Sequence, residues 1–506
     1  MTKPSRRANR EIIKQKRKEW KKAAKRLLQL QRAKGLAPVV GPSISNAKSS
    51  YQSEQEEKHA RLTAVSEQHR ILQANLPVLL RRLSKIEDPR NAKKIKYKLT
   101  LVMIYGILTF VYQMASRREA NRKMTLPMFA KNRKMLFPEI EQLPHNDTLM
   151  RLLEKIDVSE IEDTQLELVR SLIRKKKFIR YLINGHYPVA IDGTQKFVRN
   201  YLWSEECLER EVNKADGRDK QYYVYVLEAS LAFCNGMTIP LMSEFLNYAQ
   251  GDNDADKQDC ERNAFKRLAK RLKAEFKRLP IMVLLDGLYP NGPVVEICRR
   301  NHWQFMIVLH DKSLTSVWEE YEGLKKLLPK NRHRRTHNDR QQHFRWVNDI
   351  EYYYDIYKKQ VLHVIVCEES WQEVDQDIGQ IATKSSRHAW ISSEPLAHQN
   401  IHERCNLAAR HRWNIESELL AQKRQGYHYE HCFSYDWNAM KGYHYLMRIG
   451  RTINVLAQYC ESLVSMFIEK GVRGFIDFVR ETLTGPWLDV DWVQARLKRP
   501  YQLRLI

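Results

Sequence analysis

The stretch N-L-A-A-R-H-R-W-N-I-E-S-E-L-L-A-Q-K, running from Asn406 to Lys423, contains no Pro or Gly and is rich in Leu, Ala, Glu, Lys and Arg, which predicts a helix over its whole length. At about 100° per residue, Glu416 lies roughly 40° round the axis from Arg412, and Lys423 about 20° from Glu416. The three charges form one stripe, flanked by Ile415, Leu419 and Leu420, so Glu416 is expected beside apolar neighbours. A carboxylate in such surroundings needs a cation or a metal. Glu418 points roughly 120° to 160° away from the stripe and reads as a solvent residue. Pairing of Arg412 with Glu416 at i, i+4 is the ordinary structural alternative.

Working outward, two apolar runs share a distinctive ending. Pro188-Val-Ala-Ile191 leads into Asp192-Gly193, and Ile281-Met-Val-Leu-Leu285 leads into Asp286-Gly287. Each reads as a buried strand that delivers an acid to its edge. Either Asp alone reads equally well as the cap of the following turn. Both together point to a shared site, because unpaired acids at strand ends are expensive inside a core. Between them, Gln221 to Phe233 and Met237 to Phe245 read as strands joined by an Asn235-Gly236 turn, followed by a helix from Ala255 to Phe276. A helix from Pro293 to Arg300 and a strand from Trp303 to Leu309 complete an α/β order.

The chain has 506 residues, with 86 Lys and Arg against 60 Asp and Glu, a formal charge of +26. That excess favours a polyanionic partner, most simply a nucleic acid. The eight cysteines are scattered with no C-x-x-C, which suggests free thiols in a reducing cytoplasm. Leu99 to Ala115 is the one membrane-like segment; it is short for a span and interrupted by Gly, Thr and Gln, so a buried helix and no membrane partner are expected. Two His-x-x-x-His pairs, His333 with His337 and His398 with His402, lack an evident third ligand and assign no zinc.

Six segments follow. Residues 1–55 are a basic arm and linker, with fourteen Lys and Arg before residue 35, and the arm is expected to order on nucleic acid. Residues 56–180 read as a helical domain whose Arg117, Arg118, Arg122 and Lys123 suit DNA binding, with a plain scaffold the equal alternative, and in which Asn146 or Asp147 caps a helix. Residues 181–310 are the first part of the α/β core, and 311–395 a strand-rich insertion whose tip is a basic loop, Lys330 to Arg340, carrying Arg332, Arg334 and Arg335 as phosphate contacts. Residues 396–470 complete the core with the charged helix, and 471–506 are a C-terminal tail.

The spacing R-x-x-x-E-x6-K at Arg412, Glu416 and Lys423 resembles the Tyr-Arg-Glu-Lys signature of bacterial insertion-sequence transposases of the DDE type, the family-four group. The Tyr of that signature is replaced by Ala409. Asp88-Pro89-Arg90 and His145-Asn-Asp-Thr-Leu149 are similar to landmarks in the helical region of the same enzymes, so the resemblance covers roughly Asp88 to Met447. It implies a ribonuclease H-like core in which Asp192, Asp286 and Glu416 are the catalytic carboxylates and hold two Mg²⁺ ions, with Mn²⁺ as an alternative. Arg412 and Lys423 would then contact DNA phosphates. It further implies cleavage at the terminal repeats of an insertion sequence and joining to target DNA, by a homodimer or higher multimer in the bacterial cytoplasm, associated with the nucleoid. The competing readings are a ribonuclease H-like nuclease or resolvase without strand transfer, a transposase-derived DNA-binding protein without catalysis, and a basic RNA-binding protein.

Overall fold

The computed structural model describes residues 6–35, 50–138, 140, 142–214, 217–250, 259–374 and 381–506. Most of the expected linker, Gly35 to Gln55, lies outside them.

In chain order the first helices are α1 (Arg6–Ala33), α2 (Glu54–Leu83), α3 (Leu99–Val111), α4 (Arg117–Met124), α5 (Pro127–Leu136), α6 (Asn146–Leu153) and α7 (Ser159–Arg174). Strands β1 (Tyr187–Arg199), β2 (Leu208–Lys214), β3 (Gly217–Ala232) and β4 (Thr238–Phe245) precede α8 (Glu261–Glu275) and β5 (Ile281–Leu285). Then come α9 (Gly292–Arg300), β6 (Gln304–Val308), α10 (Thr315–Leu327), β7 (Arg332–His337), β8 (Arg340–Asp355), β9 (Lys358–Val374) and β10 (Ile381–Ser392). Four helices close the chain: α11 (Trp413–Arg424), α12 (Trp437–Gln458), α13 (Val464–Thr484) and α14 (Val490–Lys498). The fold is mixed α/β, with a helical N-terminal part. It divides into a smaller unit, residues 1–50, 286–299 and 304–405, and a larger one, residues 51–285, 300–303 and 406–506.

Local chemistry sets the helix starts. Ser53 accepts from the Glu56 amide at 3.2 Å while Glu56 accepts from the Gln52 amide at 2.8 Å, and Ser116 and Glu119 repeat the arrangement at α4. The expected cap at Asn146 or Asp147 is corrected: His145 caps α6 with Nδ1, 3.3 Å from the Asp147 amide. Asn146 is instead buried, accepting from the Tyr443 hydroxyl at 2.5 Å. The apolar segment from Leu99 is a core helix, α3, packed on α12 and α6. Close approach is possible because Gly450 of α12 meets the backbone of α3, where a Cβ would stand 3.1 Å from the Val111 nitrogen. Among the described residues no helix is long and apolar enough to cross a membrane.

The strands of the larger unit run in the order β2, β3, β1, β5, with β4 on β3. β1 is antiparallel to β3, with a bulge between Gln195 and Phe197, and parallel to β5. β2 was not expected from the sequence, since its alternation of Glu, Arg and Asn with Leu and Val lacks an apolar face. The segment from Gly471, expected as a tail, completes α13 and supplies α14; both pack on α2 and α5.

In the smaller unit β6, β10, β9, β8 and β7 form consecutive antiparallel pairs. One expectation is corrected here. The basic tip from Lys330 is a strand, β7, hydrogen-bonded along β8 through Asn338 at positive φ, because main-chain pairing requires no apolar side chain. The basic arm is helix α1, packed against β9 and β10, with Leu27 buried.

Arg451 of α12 donates to both oxygens of Glu418 at 2.5 and 2.7 Å. Glu418 is 7 % exposed, so its assignment to solvent is corrected: the buried face of α11 is Ile415, Glu418, Leu419 and Gln422. Breaking a buried pair strands the other charge, so Glu418→Ala is expected to lower the unfolding free energy by about 3–5 kcal/mol in chemical denaturation.

His69, on α2, is edge-on to Phe137 at 4.5 Å, and burial pushes its pKa down to about 3. The native state therefore excludes a proton that the unfolded chain binds. Stability from the neutral ring is complete above the usual value of 6.5 and is lost as pH falls toward 3. Unfolding titrations across that window should show His69→Leu flattening part of the slope.

Candidate active site

The run that carries Asp192 is fully buried at Val189, Ala190 and Ile191, as is every residue of β5. The two strands are in parallel register, Ala190 opposite Leu284. Asp192 comes two residues after the first of that pair, inside β1, so the strand expected to end there continues to Arg199; Asp286 directly follows the end of β5. Asp192 is half-buried and sits directly opposite Glu228 of β3. A Cβ on the following Gly193 would stand 2.5 Å from Glu261 Oε1 and 2.6 Å from Tyr225 Cε1, so a larger residue there would displace both side chains. Asp286 also does what a turn residue does, accepting from the Leu288 amide at 2.9 Å.

The charged helix starts later than expected. His402–Ala408 forms a π-helical stretch and Ala409–Arg412 one 3₁₀ turn, so α11 begins only at Trp413 and Glu416 sits in its first turn. The 3₁₀ turn packs on β5, and α11 packs on β1, β3 and β4. Arg412 is buried, lies over the Trp413 ring at 4.9 Å, and donates from Nη2 to Glu416 Oε1 at 2.6 Å. Its Nε and Nη1 have no hydrogen-bond partner among the described residues. Glu416, at 38 % exposure of its side chain, is more open than the sequence suggested, and Leu420 beside it is exposed. Lys423 pairs with Glu430 at 3.0 Å.

Asp192 and Glu416 thus lie on packed elements of the larger unit, whereas Asp286 opens a segment of the smaller one. Among the described residues no group of three or more His, Cys, Asp or Glu side chains is arranged to hold a metal.

In the smaller unit Arg332, Arg334 and Arg335 are all exposed on β7. The two His-x-x-x-His pairs meet crosswise there. His333 and His398 bring their Nδ1 atoms to 3.4 Å, and the rings of His337 and His402 lie 5.4 Å apart. Burial, then the neighbouring His398 and Arg335, hold the His333 pKa below its ordinary value.

The sequence did not reveal the polar centre of the larger unit. Glu228, wholly buried, accepts from Ser243 Oγ at 2.6 Å and from the Tyr429 hydroxyl at 2.9 Å, and pairs with Arg448 at 3.1 Å. His444 Nε2 stands 2.9 Å from Ser243 Oγ, and burial drives its pKa well below the ordinary value. Lys196, in the β1 bulge, donates to the Tyr429 carbonyl at 3.0 Å, and burial lowers its pKa to about 8. The available signal was a lone acid between Leu227 and Ala229, with His444 and Arg448 four residues apart on α12.

No curated protein matches the chain. A family model described as DDE_Tnp_1-associated matches residues 80–169, the stretch from the end of α2 into α7. That match points to a DDE-type transposase family and suggests a transposase-related function.

Proposed function

We propose that the protein is a DNA transposase that cleaves the ends of an insertion sequence and joins them to target DNA, working as a multimer on paired ends. The observation that carries this reading is the parallel register of β1 and β5, whose apolar runs each lead into an acid, in a chain that also carries a transposase-associated domain. The strand order β3, β1, β5 with α11 laid on β1 supports the same reading, and we take it as a ribonuclease H-like core.

Asp192, Asp286 and Glu416 are the proposed ligands of two Mg²⁺ or Mn²⁺ ions. Three carboxylates are the hard-oxygen donor set such cations take, which is the sense in which these residues fit them. When bound, the ions activate the attacking oxygen and neutralise charge on the leaving one. The chain's own contribution is positioning. Arg412 holds Glu416 at 2.6 Å and carries two further donor nitrogens, Nε and Nη1, suited to a phosphate, while Lys423 supplies a point charge. Arg332, Arg334 and Arg335 are exposed for the DNA backbone, as are many of the lysines of α1.

Replacing Asp192, Asp286 or Glu416 by Ala is expected to abolish Mg²⁺-dependent cleavage of the element's ends with the thermal midpoint of the Asp192 and Asp286 variants unchanged; full activity in any one refutes the site. Joined product from precleaved ends separates a transposase from a nuclease that only cuts. Changing Arg332, Arg334 and Arg335 together to Ala should weaken DNA binding uniformly across sequences. The slope of log affinity against log salt should become shallower by about 0.9 for each phosphate that is no longer neutralised.

A further inference from the structure

The site as proposed needs Asp192 on a strand and Glu416 on a helix to keep a fixed relation, and the larger unit contains a buried strut between those two elements. It begins at Glu228. Directly opposed residues of an antiparallel pair project to the same side of the sheet, so the Glu228 side chain shares a face with that of Asp192. It is wholly buried and held from three sides, by Ser243 of β4, by Arg448 of α12 and by the hydroxyl of Tyr429. Tyr429 lies in the connection that follows α11. Its amide donates to the Gln422 carbonyl in the last turn of α11 at 3.3 Å, and its carbonyl accepts from Lys196 of β1, which also stands over its ring at 4.3 Å. A second tie holds the same helix turn: Gln422 donates to Glu418 at 3.0 Å, and Glu418 is clamped by Arg451 of α12.

We infer that Glu228 is a positioning residue: acting through Tyr429, it fixes the helix that carries Glu416 against the strand that carries Asp192. The inference rests on the proposed active site for its functional consequence, though not for its structural one. Glu228 itself acts on neither DNA nor metal. Its role resembles that of the outer groups that orient metal ligands, whose loss commonly costs 10- to 100-fold in metal affinity.

The test uses the full chain with Tyr429→Phe, which removes one hydroxyl and leaves Glu228 its other partners. In the metal-free protein, amide hydrogen exchange over residues 413–424 should speed up about tenfold, while exchange in α3 and α12 stays as in the parent. In parallel, the Mg²⁺ concentration for half-maximal end cleavage should rise about tenfold, with DNA affinity in the absence of Mg²⁺ unchanged. Glu228→Gln, which keeps an acceptor for the hydroxyl, should preserve the protection of α11 that Glu228→Leu loses. Unchanged exchange in α11, or an equal acceleration throughout the larger unit, overturns the strut. An unchanged Mg²⁺ requirement in an actively cleaving Tyr429→Phe protein overturns its link to the site. If Asp192→Ala still cleaves, the proposed site falls, and the exchange measurement still decides the strut.

Discussion

A carboxylate with no exposed surface is the constraint on which the larger unit turns. Burying an ion costs several kcal/mol unless its oxygens are matched by charge and by donors, and Glu228 is matched by Arg448, Tyr429 and Ser243. Two of these partners lie outside the sheet, so the fold must bring α12 and the connection after α11 onto the face that Glu228 occupies. His444 reinforces the arrangement from the same helix, one turn before Arg448. Its depressed pKa keeps the imidazole neutral beside Lys196 and Arg448, where a third cation would be repelled.

α12 accordingly answers several demands at once. His444 and Arg448 serve the sheet, Arg451 serves Glu418 of α11, and Gly450 lets α3 close on the remaining side. A helix buried all round would ordinarily be apolar all round. This one carries its polar residues at steps of three and four because each meets a specific partner. That also explains why α11 hides an acid: the partner that makes burial of Glu418 tolerable lies in α12, beyond any pattern within α11.

What could be read from the sequence follows the same division. The runs before Asp192 and Asp286 were legible as buried strands because an uninterrupted apolar stretch of that length, ending in Asp-Gly, has few other uses. The core helix from Leu99 was legible for similar reasons. The start of α11 was not, because composition is blind to whether residues 402–412 wind as π, 3₁₀ or α turns. β7 was hidden by its charges, since periodicity detects a half-buried strand, whereas β7 is held by main-chain pairing to β8 and exposes its arginines. The network around Glu228 was invisible for a further reason: each member is unremarkable in its own segment, and only long-range pairing of β1, β3 and β4 with α12 brings them together.

Arg412 shows how local chemistry and the proposed reaction bear on one side chain. A buried guanidinium is expected to use most of its five donors, and each one left unmet costs about 1–3 kcal/mol. Arg412 meets Glu416 through Nη2, while Nε and Nη1 have no partner among the described residues. An i, i+4 pair that existed only to support a helix would gain nothing from such burial, because exposed pairs of this type contribute as much with both groups solvated. Under the proposed reading the cost has a purpose. A guanidinium held rigid over Trp413 presents its remaining donors in a fixed plane, the geometry in which Arg discriminates a phosphate from a simple counter-ion. Lys423, partly buried and paired to Glu430, would under the same reading supply a point charge rather than a fixed fork of donors.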